Sequence, residues 1–119
     1  MPLVITKSCI EGVTVVHLSG AILFGEDSKS LFIAVRDLLR EPSRIVLDLR
    51  DVTRIDSSGL GMLVALHVSA RKLGSAIKFA NLGSHAREVL HITKLGTVFE
   101  IFGSTEDAVA SFRGASARD

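Results

Sequence analysis

Arg44-Ile45-Val46-Leu47-Asp48-Leu49 is an almost unbroken apolar run, and Ile55-Asp56-Ser57-Ser58-Gly59-Leu60-Gly61-Met62 leads from it into an apolar helix. A segment of strand length that is apolar on both alternating faces fits a strand covered from both sides, as in a parallel sheet. Between them, Arg50 to Asp56 reads as a polar, turn-like stretch. The helix is expected from about Ser58 to Leu73, with Gly74 ending it, and Ile77-Lys78-Phe79-Ala80 reads as the next strand. Strand, helix and strand make one βαβ unit, which should cross over right-handed.

Working outward, Leu3 to Cys9 and Val13 to Ser19 are β-branched runs separated by Ile10-Glu11-Gly12, the pattern of an antiparallel hairpin. In the second run Val13, Val15 and His17 share one face, while Thr14, Val16 and Leu18 share the other. Gly20-Ala21-Ile22-Leu23-Phe24-Gly25 reads as a glycine-bounded apolar loop that needs a lid, a neighbour or a partner. Asp27 or Ser28 is placed to cap a helix reaching about Arg40, with Leu31, Val35, Leu38 and Leu39 at helical spacing and Pro42 stopping it. Ser84 to His91 reads as a short helix, Val98 to Phe102 as a last strand, and Ser104 to Phe112 as a last helix, with Ser104 and Asp107 as a capping pair. The fold class expected is α/β: a mixed β-sheet, made of an N-terminal hairpin plus parallel βαβ units, with helices packed on it. One domain over residues 1–113 and a flexible C-terminal tail over 114–119 complete the expected organisation.

Composition narrows the function classes. The 119 residues are 47% hydrophobic, a globular fraction. Fourteen Lys+Arg against 13 Asp+Glu leave a net charge of +1, which provides no basic excess to grip a phosphate backbone. Six Phe with no Trp or Tyr offer few platforms for stacking bases, so no nucleic-acid partner is expected. Cys9 is the single cysteine, so no intrachain disulfide framework exists and a reducing cytoplasm is the expected compartment. Met1 to Lys7 lacks a signal-peptide pattern, and the most apolar stretch, Leu60 to Ala70, is about half of the ~20 residues a membrane span needs. A soluble protein without a membrane partner is expected.

The segment Asp56 to Gly61 carries the chemistry. Asp56 is suited to accept from the first free N–H groups of the helix, and its charge suits the positive helix end. Ser57 and Ser58 present two hydroxyls there. Gly59 and Gly61 weaken a helix by about 1 kcal/mol each relative to Ala, so local stability does not explain them; removing side-chain bulk lets another surface approach. Three enzyme templates fail on the letters. Gly59-Leu60-Gly61-Met62-Leu63-Val64 lacks the last glycine of a dinucleotide loop, no Gly-Lys-Ser/Thr phosphate loop is present, and Asp56-Ser57-Ser58-Gly59-Leu60 lacks the leading glycine of a hydrolase elbow. None of His17, His67, His85 and His91 is tied locally to Ser58 as a base, and a non-enzyme is expected. Phosphorylation of an exposed hydroxyl here would add about −1.5 to −2 charges beside Asp56, repelling a partner that supplied no arginine.

Asp56-Ser57-Ser58-Gly59-Leu60-Gly61, preceded by Ile45-Val46-Leu47-Asp48-Leu49 and Ile55, resembles the signature of the STAS-domain anti-sigma factor antagonists. Leu90-His91-Ile92-Thr93-Lys94-Leu95 and Val98-Phe99 resemble that family's third helix and last strand, and the order of elements matches over nearly the whole chain. The resemblance implies a bacterial switch subunit with no cofactor and no metal. Such a domain, unphosphorylated, captures an anti-sigma factor that is a serine kinase of the histidine-kinase-like ATPase fold, and so frees a sigma factor. The resemblance places phosphorylation on Ser58 and the partner surface on Asp56, Ser57, Ser58, Gly59, Leu60 and Gly61; a metal-dependent serine phosphatase would act transiently to reset it. ATP would belong to the kinase.

Many members carry Gly-x-Leu-Asp after the second strand, whereas Gly20-Ala21-Ile22-Leu23 stands here and Glu26 and Asp27 arrive only later. The departure suggests an apolar contact by Leu23 or Phe24, or a different kinase. A scaffold subunit of a larger assembly, or weak homodimerisation, is the competing reading, motivated by that apolar loop. A small hydrolase or nucleotide-binding protein using Ser58 at a helix N-terminus is the third. Among other residues, His67 is expected to be a partly buried packing residue, His85 and His91 to lie at the surface or its boundary, and Asp48 to accept hydrogen bonds for the loop after Leu49, without a visible partner for acid catalysis. Cys9 is expected to be a plain strand residue, and Arg36, Arg40 and Arg44, interleaved with Asp37 and Glu41, a solvated helix face.

Overall fold

The computed structural model describes residues 3–117, with side chains described as far as Arg113. Strands β1 (Val4–Ile10) and β2 (Val13–Ile22) form the antiparallel hairpin. Glu11 and Gly12 at its turn both take positive φ, 52° and 79°, the requirement of a two-residue turn that follows the strand twist. Then follow α1 (Glu26–Leu38), β3 (Arg44–Ile55), α2 (Ser57–Lys72), β4 (Ala76–Ala80), α3 (Ser84–Thr93), a 3-10 turn at Leu95–Thr97, β5 (Ile101–Phe102) and α4 (Thr105–Ala117). The sheet order is β1-β2-β3-β4-β5, antiparallel at β1–β2 and parallel elsewhere. The mixed sheet expected from the sequence is present.

The double-faced reading of β3 holds. Ile45, Leu47 and Leu49 enter the larger core with Leu31 and Val35 of α1, Leu63 and Leu66 of α2, and Ala86 and Leu90 of α3. Val46 faces the other way, joining Val13, Val15 and Ala80 beneath Ala108, Val109 and Phe112 of α4. Burial of each large apolar side chain contributes about 1.5–3 kcal/mol, so the α1–α3 side carries most of the hydrophobic stabilisation. On the α4 side Lys78 is buried but satisfied: its ammonium donates to Ser111 Oγ at 2.7 Å, lies 3.2 Å from Glu100 and sits 4.1 Å from the Phe112 ring centre.

Five boundaries differ from the sequence reading. Arg50 to Ile55 is not a turn but the second half of β3, and Gly20-Ala21-Ile22 is not a loop but the end of β2; the two extensions pair with each other, Ile22 opposite Ile55. Val98 and Phe99 precede the last strand, which has only Ile101 and Phe102, and Phe99 plugs the core against Phe79 at 4.5 Å between ring centres. Helix α1 has Gly25 at its N-cap; Asp27 instead accepts from the Leu3 N–H, and Ser28 donates to the Gly25 carbonyl. Helix α4 runs to Ala117, through the first residues of the expected tail, and residues 118–119 of that tail lie outside the described residues. Among the described residues, no helix is long and apolar enough to cross a membrane.

Candidate functional site

The ends of β2 and β3 deliver the chain to the start of α2, where Asp56 links three segments. Its backbone N–H donates to the Ile22 carbonyl at 3.2 Å, which fastens the loop to β2. One carboxylate oxygen accepts from the Gly59 N–H at 2.8 Å, the N-cap bond expected from the sequence, and the other accepts from the Phe24 N–H at 2.9 Å. The Gly59 N–H first, then the Phe24 N–H, stabilise the carboxylate and hold the Asp56 carboxyl below its ordinary value, against a smaller opposing effect of desolvation. The charge that caps α2 therefore also fixes the backbone of the β2–α1 loop.

Ser57 opens α2 and Ser58 follows it; both are exposed, as is Gly61 one turn on. Phe24 is 83% exposed although its backbone is held, while Leu23 is half-buried. Of the two apolar candidates in that loop, Phe24 is the one that faces solvent. Beside it lies a groove of about 500 Å³ lined by Phe24, Gly25, Phe32 of α1 and Met62 of α2, together with Glu26, Ser28 and Lys29 of α1. Met62 sits four residues after Ser58, on the same helical stripe. The sequence reading missed Phe32 and Met62; their positions beside Phe24 come from the packing of α1 on α2.

Two residues expected at the partner surface are not on it. Leu60 is buried in the larger core, and Gly59 is buried against β2. A Cβ on Gly59 would stand 2.3 Å from the Ile22 carbonyl oxygen, so the close approach that needs this glycine is made by the chain itself. A Cβ on Gly61 would meet nothing within 4 Å. Of these two glycines, Gly61 is the one that leaves room for another surface.

The remaining titratable residues separate clearly. His67 packs edge-on against Phe99, ring centres 5.3 Å apart, with its Nδ1 buried and unpartnered, as a partly buried packing residue. Desolvation first, and then the nearby Arg71 charge, hold His67 below its ordinary value. His85 and His91 are exposed, and among the described residues no group of His, Cys, Asp and Glu is arranged to hold a metal ion. Asp48 accepts for the segment after Leu49, as expected, but that segment is strand rather than loop, and Asp48 does have a side-chain partner. His17 on β2 lies opposite it, Nδ1 2.7 Å from Oδ2, while Oδ1 accepts from the Arg50 N–H at 3.0 Å and Asn81 at 2.9 Å. Burial pushes the Asp48 carboxyl up, but the bonds from Asn81, Arg50 and His17 outweigh it and hold the group below its ordinary value.

A hairpin-led five-stranded sheet, with an Asp-capped Ser-Ser-Gly helix start beside an apolar groove, defines the class, and the STAS domain model matches residues 4–108. The chain belongs to the STAS-domain family. Over 60 residues, half of the chain, it is 40% identical to the STAS-domain containing protein PA14_20770 of Pseudomonas aeruginosa, spanning 59% of that protein. Over 61 residues, 51% of the chain, it is 33% identical to the anti-sigma-B factor antagonist of Bacillus subtilis, spanning 56% of that protein. In structure, 93% of the chain matches 94% of an anti-sigma factor antagonist from Mycobacterium paratuberculosis at a TM-score of 0.83 and 26% identity. The same 93% matches 97% of the anti-sigma factor antagonist SpoIIAA in its unphosphorylated form, with a TM-score of 0.77 and 16% identity, a likeness of fold. SpoIIAA of Bacillus in its phosphorylated form shares the fold at a TM-score of 0.70 and 14% identity, over 92% of this chain and 99% of that one.

Proposed function

We propose that the chain is an anti-sigma factor antagonist of the bacterial cytosol, whose unphosphorylated form captures an anti-sigma factor serine kinase of the histidine-kinase-like ATPase fold and which is released by phosphorylation of Ser58. The observation that carries this reading is an exposed hydroxyl at the first turn of α2, four residues from the Met62 wall of a groove flanked by the 83%-exposed Phe24. Apolar surface next to a modifiable hydroxyl suits a reversible docking face: the Phe24–Phe32–Met62 groove gains from being covered, and Ser58 controls whether covering is allowed.

A phosphate on Ser58 places about −1.5 to −2 charges near the Asp56 carboxylate. The positive end of α2 offsets part of that charge while the site stays in water. Under a docked partner the dianion loses its water, and the Asp56 charge cannot move away because two backbone N–H groups hold it. Release follows unless the partner supplies a matching cation. A serine phosphatase restoring the bare hydroxyl would reopen the site. Asp56 positions the loop, Ser57 and Gly61 lie at the contact, and Gly59 and Leu60 shape it from beneath. Leu23 stands where many members carry an acid, and the exposed Phe24 beside it fits an apolar contact at this corner.

Incubation of the chain with its cognate kinase and ATP, read by intact-mass and peptide mapping, should add one phosphate, on Ser58, and Ser58→Ala should take up none. Phosphate mapped elsewhere, with Ser58→Ala still fully modified, would reject the assignment.

A further inference from the structure

On the α4 side of the sheet, away from Ser58, three side chains from neighbouring strands form a continuous hydrogen-bonded line. The Ser8 hydroxyl on β1 lies 3.3 Å from His17 Nε2 on β2, and His17 Nδ1 lies 2.7 Å from the Asp48 carboxylate on β3. The strand register aligns them: His17 is paired with Thr6 on one side and Asp48 on the other, and Ser8 shares the face of Thr6 two residues along. An ionised carboxylate only accepts, so in the neutral imidazole of His17 the proton sits on Nδ1 and Nε2 is left as an acceptor for the Ser8 O–H. Asp48 is itself immobilised by Asn81 and by the Arg50 N–H. A hydroxyl, a base with its tautomer set and an acid oriented by further bonds are the parts that nucleophilic catalysis needs. His17, Asp48, Asn81 and Arg50 line a cleft of about 630 Å³ that reaches the start of α4 at Ser104 and Thr105, and Ser8 meets its wall through His17.

We infer that Ser8, His17 and Asp48 form a second reactive centre, in which Ser8 is the nucleophile, His17 its general base and Asp48 the orienting acid, and that it accepts an acyl group from a small ester seated in this cleft. In the step, Ser8 Oγ bonds to the acyl carbon while its proton passes to His17 Nε2. The bond from carbon to the leaving oxygen breaks, and the departing alkoxide takes that proton from His17. Attack by water, through the same base, returns the acid and the free hydroxyl. None of these residues belongs to the Ser58 surface, so the centre operates independently of the switch.

The test uses the full chain and a fluorophosphonate probe, in which Ser8 Oγ would bond to phosphorus and fluoride would leave. Peptide mapping should find the adduct on Ser8 and not on Ser57 or Ser58, and Ser8→Ala, a change at an exposed strand position, should abolish it. His17→Gln should slow labelling by about 100-fold or more, the usual scale of a positioned base, with an unchanged circular dichroism spectrum showing that the sheet is intact. With p-nitrophenyl acetate the same serine should carry the acetyl group. No adduct on Ser8, or labelling of Ser8 at the same rate in the folded His17→Gln chain, would overturn the inference.

Discussion

Asp56 divides its carboxylate between two elements, one oxygen capping α2 through Gly59 and the other holding the Phe24 N–H of the β2–α1 loop. Such a residue acts on stability and on site geometry at once. Its folded-state carboxyl is held below the ordinary value of 3.8, with the Gly59 N–H as the largest cause. The sign follows directly: the contribution is present above the unfolded value and is lost as pH falls through the folded one. Asp56→Ala should therefore melt at a lower temperature than the parent chain at pH 7, and the gap should narrow on the acid side of 3.8. Thermal melts at pH 7 and near pH 3 check this; a gap independent of pH would mean that the charge of Asp56 is not what holds the loop. At this scale the sequence was readable where a side chain acts on its own neighbourhood, as in the Asp56 cap and the Asp107 N–H donating to Ser104. It was not readable where partners meet through register. His17 and Asp48 are 31 residues apart, and only the parallel pairing of β2 with β3 brings them to 2.7 Å.

Helix α2 begins with two glycines that the same alphabet treats alike and the structure treats oppositely. Gly59 faces the Ile22 carbonyl at a distance that leaves no space for a methyl group, whereas Gly61 faces open space. Gly59→Ala should destabilise the fold by about 1–3 kcal/mol, because a backbone oxygen must shift and the helix preference for Ala is smaller than that strain. Gly61→Ala should instead stabilise it, by up to about 1 kcal/mol, while weakening capture of the kinase if a partner surface needs that space. Denaturant unfolding of the two variants distinguishes them; equal and opposite outcomes in the reverse order would contradict the packing described. Elements with a self-contained pattern, such as the hairpin and α2, were legible from sequence. The paired extensions of β2 and β3 were not, since Arg50 to Ile55 buries only Val52 and Ile55 and shows no clean alternation. Register shifts after His17 and after Gly20 blur the pattern on the other strand as well. Each extension exists because the other pairs with it. Val98-Phe99 read as strand for a related reason: Phe99 is apolar because it fills the core beside Phe79 and His67, not because it belongs to a ladder.

The molecule as a whole assigns its two sheet faces different tasks. Helices α1, α2 and α3 close the larger core and bring Phe24, Phe32, Met62 and Ser58 to one corner; α4 closes the smaller core and leaves the polar cleft at its start. The Ser58 side chain is exposed, so a charge added there changes what the surface tolerates and leaves the fold in place. The most direct test of that claim is a calorimetric titration of the cognate kinase with the chain bearing either a serine or a phosphoserine at position 58. Affinity for the phosphorylated chain should be about 100- to 1,000-fold weaker, or about 2.7–4 kcal/mol, with both forms equally folded. Equal affinity of the two forms would contradict it.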